Sequence, residues 1–303
     1  MRTSADVLPV GIEKEKYFLI RDNMMKIEKD IDVMPVAQIE PALVQSFKKA
    51  IDYIVFPHAN VLTFGSGTGM LSSFAAARAQ KVWCVESNPL HARESQRLQE
   101  INGNAGKMEI VCRDSSEYLP PEPVDVVICD MIHAAIILEN NINAMESFKK
   151  RYIKRFGASL PRMVPTAILM AVQPLQQNYS FDGFSTPMAI IQDAPANLSG
   201  AVVMATSQLF GINDMDKDTS QDVAWEGNFV IENNGTVNSL QFIRKKVLAI
   251  VKETMTTIDC PNQYISFPLE KPINVLIGET LKISFVYRSV DHITSLQVNL
   301  LRS

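Results

Sequence analysis

Short apolar runs alternate with helical patterns in the first half of the chain. Four runs rich in β-branched residues, each followed by a helical pattern or a loop, lie between residues 51 and 165: NVLTFG (60–65), KVWCVE (81–86), MEIVCR (108–113) and VDVVIC (124–129). Strands that alternate with helices are typical of a parallel sheet covered on both faces. We therefore predict an α/β domain over residues 51–165.

The pattern differs on either side of this region. Residues 1–50 carry apolar residues at helical spacing, in KYFLIRDNMMKIEKDI and in IEPALVQSFKKAIDYI, and predict N-terminal helices. From residue 166 to residue 303, strand-like runs are separated by turn residues, which predicts an antiparallel, barrel-like β domain. Within it, the NNG sequence at 233–235 predicts a β-hairpin.

A glycine-rich loop follows the first predicted strand. In VLTFGSGTGMLSSFAAARA, Gly65, Gly67 and Gly69 come directly after the strand, and a helix is predicted to begin near Met70. Glycine permits tight turns and a close approach of a ligand to the backbone, and a helix N-terminus offers unpaired N–H groups. The alternative is a tight turn that binds nothing.

Two acidic residues stand at the ends of the next two strands. Glu86 ends the second run, and Asp114 follows the third. A carboxylate in the first position can accept the two hydroxyls of a ribose, and one in the second could accept from an adenine amino group. Each residue alone is also typical of an exposed strand end. Together with the glycine loop, they predict a nucleoside ligand at the carboxyl edge of the sheet.

Two further acids bracket the apolar segment CDMIHAAIILEN. Asp130 ends the fourth predicted strand, and Glu139 follows nine residues later. On one helix, nine residues turn the chain by about 900° and separate the two carboxylates by roughly 13 Å on opposite faces. They can cooperate only if the segment folds back on itself. Alternatively, Glu139 simply begins the following helix, where a carboxylate favours the helix dipole.

Composition restricts the partners and the compartment. A net charge of −4 and a pI near 5.7 favour neither nucleic acid nor an anionic membrane, and the basic cluster IRKKV (243–247) is predicted to be a solvated face. No run of about 18 apolar residues or signal-peptide core is found. The four scattered cysteines suit a reducing compartment and argue against a structural zinc site. We expect a cytoplasmic protein with no metal.

The segment VLTFGSGTGMLSSFAAARAQKVWCVESNP resembles motif I and the next strand of class I S-adenosylmethionine (SAM) methyltransferases, and more closely the protein arginine methyltransferases. The resemblance implies a Rossmann-like methyltransferase domain followed by a β-barrel domain, with SAM as cofactor. It implies that the three glycines line the methionine part, that Glu86 holds the ribose, and that Asp114 and Ser115 face the adenine. One departure is Thr63, where the family has an Asp that helps to hold the cofactor's amino group.

The bracketed segment resembles the family's hairpin, in which two glutamates grip the substrate guanidinium. Asp130 and Glu139 match its spacing, with Asp in place of the first Glu, and the resemblance places Met131 and His133 on the substrate side. A guanidinium has five planar donors that suit carboxylates, and its pKa exceeds about 12. Two carboxylates could orient one nitrogen and accept its proton.

The resemblance weakens at both ends of the chain. KYFLIRDN resembles the YFxxY helix that closes over SAM, so that Tyr17 is implied to contact the cofactor, but the second tyrosine is Arg21. The family's Thr-His-Trp loop falls on residues 260–262, where Asn262 can form hydrogen bonds but cannot titrate. The resemblance also places Pro165 at the family's cis-proline junction and implies a homodimer.

These features lead to one interpretation and two alternatives. We expect a guanidino N-methyltransferase that prefers free L-arginine or a related small molecule, with Arg21 meeting the α-carboxylate. The alternatives are a protein arginine N-methyltransferase and a SAM-binding regulator without turnover, which Thr63 would favour. CDMI after the fourth strand lacks the [DNS]-P-P-aromatic pattern of nucleobase methyltransferases, and no ligand set for a metal-dependent O-methyltransferase follows Asp130.

Overall fold

The computed structural model describes residues 41–104, 106–129, 140–157, 159–192, 200–218, 220–289 and 295–302. The helices in these ranges are α1 (Pro41–Ile54), α2 (Met70–Ala76), α3 (Pro89–Ile101) and α4 (Asn140–Phe156). The first five strands are β1 (Asn60–Phe64), β2 (Lys81–Glu86), β3 (Met108–Cys112), β4 (Val126–Cys129) and β5 (Arg162–Val164). The later strands are β6 (Ala167–Gln177), β7 (Ser180–Phe181), β8 (Phe184–Ser185), β9 (Ile190–Gln192), β10 (Ala201–Val203), β11 (Gln208–Asp214), β12 (Asp222–Val230), β13 (Gly235–Val251), β14 (Thr256–Asp259), β15 (Gln263–Val275), β16 (Thr280–Arg288) and β17 (Gln297–Arg302).

The first five strands form a parallel sheet in the order β3-β2-β1-β4-β5. Phe64, the last residue of β1, lies between Val85 of β2 and Cys129 of β4. The four apolar runs therefore form the predicted parallel strands, and their carboxyl ends meet at one edge. The order changes direction on either side of β1, and open α/β sheets bind ligands at such a point.

Both faces of this sheet are buried, because successive side chains of each strand enter two different cores. Phe47 and Ile51 of α1 cover the face that carries Val61, together with residues of α2. On the other face, Phe148 of α4 packs edge-on against Phe64, with 5.2 Å between the ring centroids. Buried faces leave the strand ends as the place where polar groups of the sheet can meet a ligand.

The later strands form antiparallel sheets around a third core. One sheet has the order β10-β6-β13-β15-β9, with β11 also on β6 and β14 on β13; a second has the order β12-β16-β17, and β7 pairs with β8 in a third. Aromatic rings fill the space between the two larger sheets. The ring centroid of Phe285 lies 5.2 Å from those of Phe210 and Phe242, and 5.3 Å from that of Trp225. The predicted combination of an α/β sheet and an antiparallel barrel-like region is confirmed.

The hairpin predicted at 233–235 is wrong. The NNG sequence connects β12 to β13, but β12 pairs with β16, and β13 pairs with β6 and β15. The chain crosses there from one sheet to the other, and Asn234 Oδ1 accepts the N–H of Ile277 in the turn before β16. The long-range pairing of the two strands, with burial of most of β13, outweighs the local turn preference.

The parallel sheet is joined to the antiparallel sheet through β13. The Val164–Pro165 peptide bond is cis, and the next residue, Thr166, donates its N–H to Val247 O at 2.8 Å and its hydroxyl to Leu248 O at 3.2 Å. Leu248 also packs in the core that contains α1. The carboxyl half of β13 is thereby fixed against the parallel sheet.

A buried lysine connects α4 to the segment after β11. Lys149 is 4% exposed, and its Nζ lies 2.5 Å from Glu146 Oε1. The same ammonium donates to Lys217 O at 2.5 Å and to Met215 O at 3.4 Å. Because α4 begins at Asn140, directly after Glu139, this contact fixes the helix that follows the bracketed segment.

We expect Lys149→Met to lower the free energy of unfolding by about 2 to 4 kcal/mol, because it leaves Glu146 and two carbonyls without their donor. Urea unfolding followed by circular dichroism measures the change. Lys282→Met is the control, since Lys282 is 3.0 Å from Glu226 in a solvent-exposed pair, and such pairs contribute about 1 kcal/mol or less. Equal losses in the two variants would contradict a special role for Lys149.

Candidate functional site

The glycine loop connects β1 to α2 at the carboxyl edge of the parallel sheet. Gly65 N donates to Val85 O at 3.1 Å, and Gly69 N donates to Ser66 O at 2.8 Å before α2 begins at Met70. Gly69 has φ of +77°, and a Cβ at this position would lie 3.2 Å from Ser95 Oγ. The backbone conformation therefore favours glycine, and a Cβ would also require Ser95 to shift. The loop has the strand–turn–helix form that its sequence predicts.

Glu86 is brought directly against this loop. Its side chain is 7% exposed at the end of β2, and Oε2 accepts the N–H of Gly67 at 2.8 Å. Oε1 accepts the N–H of Asn88 at 2.8 Å, and Asn88 in turn caps α3. A carboxylate offers about four lone-pair positions. Each oxygen thus keeps capacity for a further donor, such as a ligand hydroxyl.

Asp114 and Ser115 lie in the turn after β3, next along the same edge. Cys112 is in register with Glu86, so Asp114 follows two residues beyond that pair. Asp114 is exposed, and its Oδ1 accepts the N–H of Ser116 at 2.7 Å. Hydrogen bonds from the side chain and the backbone of Ser116 lower the pKa of Asp114, which keeps it a carboxylate at neutral pH. The turn fixes an acceptor at the sheet edge.

Thr63 has a structural contact in place of a charge. It is 1% exposed, and its Oγ1 lies 2.6 Å from Ser72 Oγ on α2. Nearby, Ser66 Oγ lies 2.9 Å from Cys84 Sγ, and burial raises the pKa of the Cys84 thiol. The groups beneath the glycine loop are therefore neutral, and Thr63 is used to join β1 to α2.

Ser95 contacts the loop from α3, a role that the sequence analysis missed. It is 1% exposed, and its hydroxyl donates to Gly67 O at 2.7 Å. Ala92, Ser95 and Gln99 are the buried residues of this helix. Their helical spacing marks the buried face, and a serine among them was the available signal that a hydroxyl points at the sheet edge.

The residues predicted to bind the acceptor, Asp130, Met131, His133 and Glu139, lie outside the described residues, as do Tyr17 and Arg21. The neighbours of the two acids in the sequence are described. Cys129, directly before Asp130, pairs with Phe64, directly before Gly65. β4 therefore ends beside the start of the glycine loop.

Asn262 lies between β14 and β15 and is partly buried. Its Nδ2 donates to Tyr264 Oη at 3.2 Å. Two residues earlier, Cys260 N donates to Lys246 O at 3.0 Å, and Cys260 packs in the core that contains α1. The start of this loop is thus fixed to β13.

The basic cluster at 243–247 is not the solvated face that its charge predicts. Arg244 and Lys246 are 4% and 6% exposed, and Arg244 Nη2 donates to Gln263 Oε1 at 2.9 Å. Arg244 lies opposite Met170 of β6, and opposite residues of antiparallel strands point to the same face.

Met170 packs in the core that contains Phe64 and Cys129, the last residues of β1 and β4. Lys246 lies opposite Ile168, which packs in that core as well. Arg244 and Lys246 are therefore on the face of β13 that borders this core, and Lys246 Nζ also lies 6.0 Å from the ring centroid of Phe47 on α1. The sequence analysis missed them because a run of charges was interpreted as a surface.

Over the described part of the chain, no three His, Cys, Asp or Glu side chains are grouped as a metal site requires. Within the same ranges, no helix combines the length and the apolar character needed to span a membrane.

Comparisons with known proteins point to one family. No family model matches the chain. Zebrafish protein arginine N-methyltransferase 6 is 29% identical over 102 residues, which cover 33% of this chain and 29% of the relative. The arginine N(omega)-methyltransferase of Streptomyces achromogenes subsp. streptozoticus is 29% identical over 108 residues, which cover 34% of this chain and 30% of the relative. The chain thus spans less than a third of the length of these curated relatives.

Among solved structures, the Trypanosoma brucei PRMT1 enzyme–prozyme heterotetrameric complex with AdoHcy is similar. The TM-score is 0.66 at 15% identity, and the match covers 86% of this chain and 94% of that chain. The predicted resemblance to the protein arginine methyltransferases is confirmed: the chain has their fold and a divergent sequence.

We expect Glu86→Gln to weaken the binding of S-adenosylhomocysteine (AdoHcy) by about tenfold or more. The amide would turn an N–H₂ toward a backbone N–H or a ligand hydroxyl and would remove the charge that strengthens these bonds. Isothermal titration calorimetry measures the change. Glu109→Gln is the control, because Glu109 is an exposed carboxylate on β3 paired with Lys81 at 2.9 Å. Unchanged affinity in Glu86→Gln would remove Glu86 from the site.

Proposed function

We propose that this protein is a SAM-dependent N-methyltransferase that transfers a methyl group to a guanidino nitrogen of arginine. The observation that carries the proposal is the contact of Glu86 with Gly67, which assembles a carboxylate and a glycine loop at one sheet edge. Support comes from the fold shared with a PRMT1 complex that contains AdoHcy and from relatives named as arginine methyltransferases.

The cofactor would lie along the carboxyl ends of β1 to β3. The glycines of the loop would approach its methionine part, Glu86 would accept from its ribose hydroxyls, and Asp114 with Ser115 would face its adenine. The open acceptor positions of Glu86 and the left-handed backbone of the three loop glycines fit such a ligand. When bound, SAM supplies an electrophilic methyl group on a sulfonium.

Asp130 and Glu139 would bind the acceptor guanidinium. Two carboxylates satisfy its planar donors, orient one nitrogen and accept the proton that this nitrogen loses as its lone pair bonds to the methyl carbon. Met131 and His133 would line the same side, and Asn262 would contact the substrate from the barrel. Most of the acceleration would come from proximity and from fixed charges.

A small acceptor with a carboxylate, such as free L-arginine, is the preferred substrate in this proposal. Arg244 supports it, because it is a buried cation on the strand face that borders the core containing Phe64 and Cys129, the last residues of β1 and β4. A guanidinium pairs bidentately with a carboxylate. We propose that Arg244 binds the α-carboxylate of the acceptor, in addition to the contact expected from Arg21.

Two other features of the proposal rest on the resemblance and on composition. The protein would act as a homodimer in the cytoplasm. The residues proposed to bind the cofactor are equally compatible with an arginine in a protein as the acceptor. The regulator alternative is favoured by one observation, the neutral contact of Thr63 with Ser72 where the family has a charge.

Transfer of radiolabelled methyl groups tests the function. We expect the protein to label free L-arginine more efficiently than an arginine-rich peptide at equal concentrations. Stronger labelling of the peptide would favour a protein substrate. Binding of AdoHcy without label on either acceptor would favour the regulator, and no binding of AdoHcy or SAM would overturn the cofactor assignment.

A variant at Glu139, Glu139→Gln, tests the proposed role of this carboxylate in the same assay. It should lower kcat by about a hundredfold, because it removes the charge that would accept the proton, while AdoHcy affinity stays the same. An equal loss of both would make Glu139 structural.

A second experiment tests the carboxylate contact through Arg244. We expect Arg244→Met to lower kcat/KM for L-arginine by about tenfold, the effect of losing a charge-assisted pair. Agmatine has the same guanidinium but no carboxylate, so its kcat/KM should change little. The ratio of the two values is independent of how much of the variant is folded.

Arg244→Lys should restore part of the preference for arginine because it keeps the positive charge. Lys149→Met, which removes a buried cation elsewhere, should leave the ratio unchanged. An unchanged ratio in Arg244→Met would contradict the carboxylate contact.

A further inference from the structure

We propose that Ser95 is a positioning residue for the cofactor, which holds the glycine loop in its binding conformation through Gly67. This inference rests on the proposed function. The hydroxyl of Ser95 donates to Gly67 O at 2.7 Å, and Glu86 Oε2 accepts the N–H of Gly67 at 2.8 Å. Both backbone polar groups of Gly67 are thus bonded to side chains, one from α3 and one from the end of β2.

The loop needs such support because of its composition. Gly65, Gly67 and Gly69 all have φ between +55° and +77°. Glycine reaches these values without strain, but it also reaches many others, so a loop with three glycines has much conformational freedom to lose on binding. Side chains that fix Gly67 before the ligand arrives reduce that cost. Ser95 is 1% exposed, which protects its hydrogen bond from competition with water.

The size of Ser95 is matched to the loop as well as its hydroxyl. A Cβ on Gly69 would lie 3.2 Å from Ser95 Oγ and 3.3 Å from Ser95 Cβ, so α3 and the loop are in close contact at this point. A larger side chain at 95 would push the loop away. Alanine would keep the space but remove the donor, which makes Ser95→Ala the informative change.

Ser95 acts at a distance from the transferred methyl group in this proposal. It is bonded to Gly67, and Gly67 is bonded to the carboxylate that would hold the ribose. Loss of its hydroxyl should therefore weaken cofactor binding and raise the KM for SAM, while kcat at saturating SAM stays nearly constant. A purely structural serine would lower stability without this division between KM and kcat.

The experiment compares AdoHcy binding to the full chain and to two serine variants. We expect Ser95→Ala to bind AdoHcy about fivefold more weakly, as expected for one buried hydrogen bond. Ser239→Ala is the matched control, because Ser239 is a fully buried serine of the barrel whose hydroxyl donates to Phe267 O at 2.9 Å. It should lose similar stability and keep its affinity within about twofold.

A double-mutant cycle with Glu86→Gln tests the route through Gly67. Because Ser95 and Glu86 hold the same residue, their effects on AdoHcy affinity should be less than additive. Additive effects, or unchanged affinity in Ser95→Ala when the parent protein binds AdoHcy, would overturn the role of Ser95 but not the proposed function. A parent protein that binds neither AdoHcy nor SAM would overturn the proposed function and this inference together.

Discussion

Burial of the parallel sheet on both faces is the constraint on which the rest of the molecule depends. Alternate residues of β1, β2 and β4 enter two apolar cores, so none of their side chains is available to a ligand except at the strand ends. The glycine loop, Glu86 and Asp114 are therefore gathered at one edge. The barrel is fixed to the same sheet through Thr166 and the carboxyl half of β13.

The sequence predicted the parts of this arrangement in which local pattern and burial agree. The four β-branched runs became parallel strands, and the helix after the glycine loop begins at Met70. Glu86 was identifiable because it follows an apolar run, so that its carboxylate was expected at the carboxyl end of a buried strand. Local pattern failed at NNG, where the two flanking strands pair in different sheets with partners distant in the chain instead of with each other.

The cluster at 243–247 shows why a run of charges can mislead. In a strand, Arg244 and Lys246 point to one face, whereas Lys245 points to the other and pairs with Asp259 at 2.8 Å. The alternation was visible in the sequence, but the partner of the inward face was not, because Met170 and Gln263 are distant in the chain. Burial of two cations is costly unless charged or polar groups meet them, and Gln263 Oε1 is one such group for Arg244.

The contacts of Thr63 and Glu86 together determine how charge is distributed around the glycine loop. With Thr63 bonded to Ser72 and the Cys84 thiol kept neutral by burial, Glu86 is the carboxylate in direct contact with the glycine loop among the described residues. Its two bonds, to Gly67 and to Asn88, also connect the loop to the cap of α3, the helix that carries Ser95. The position of the loop and the start of α3 thus depend on one buried side chain. This chain has Thr63 where the protein arginine methyltransferases have an acid in motif I, and its loop is held from both sides by the carboxylate of Glu86 and the neutral hydroxyl of Ser95.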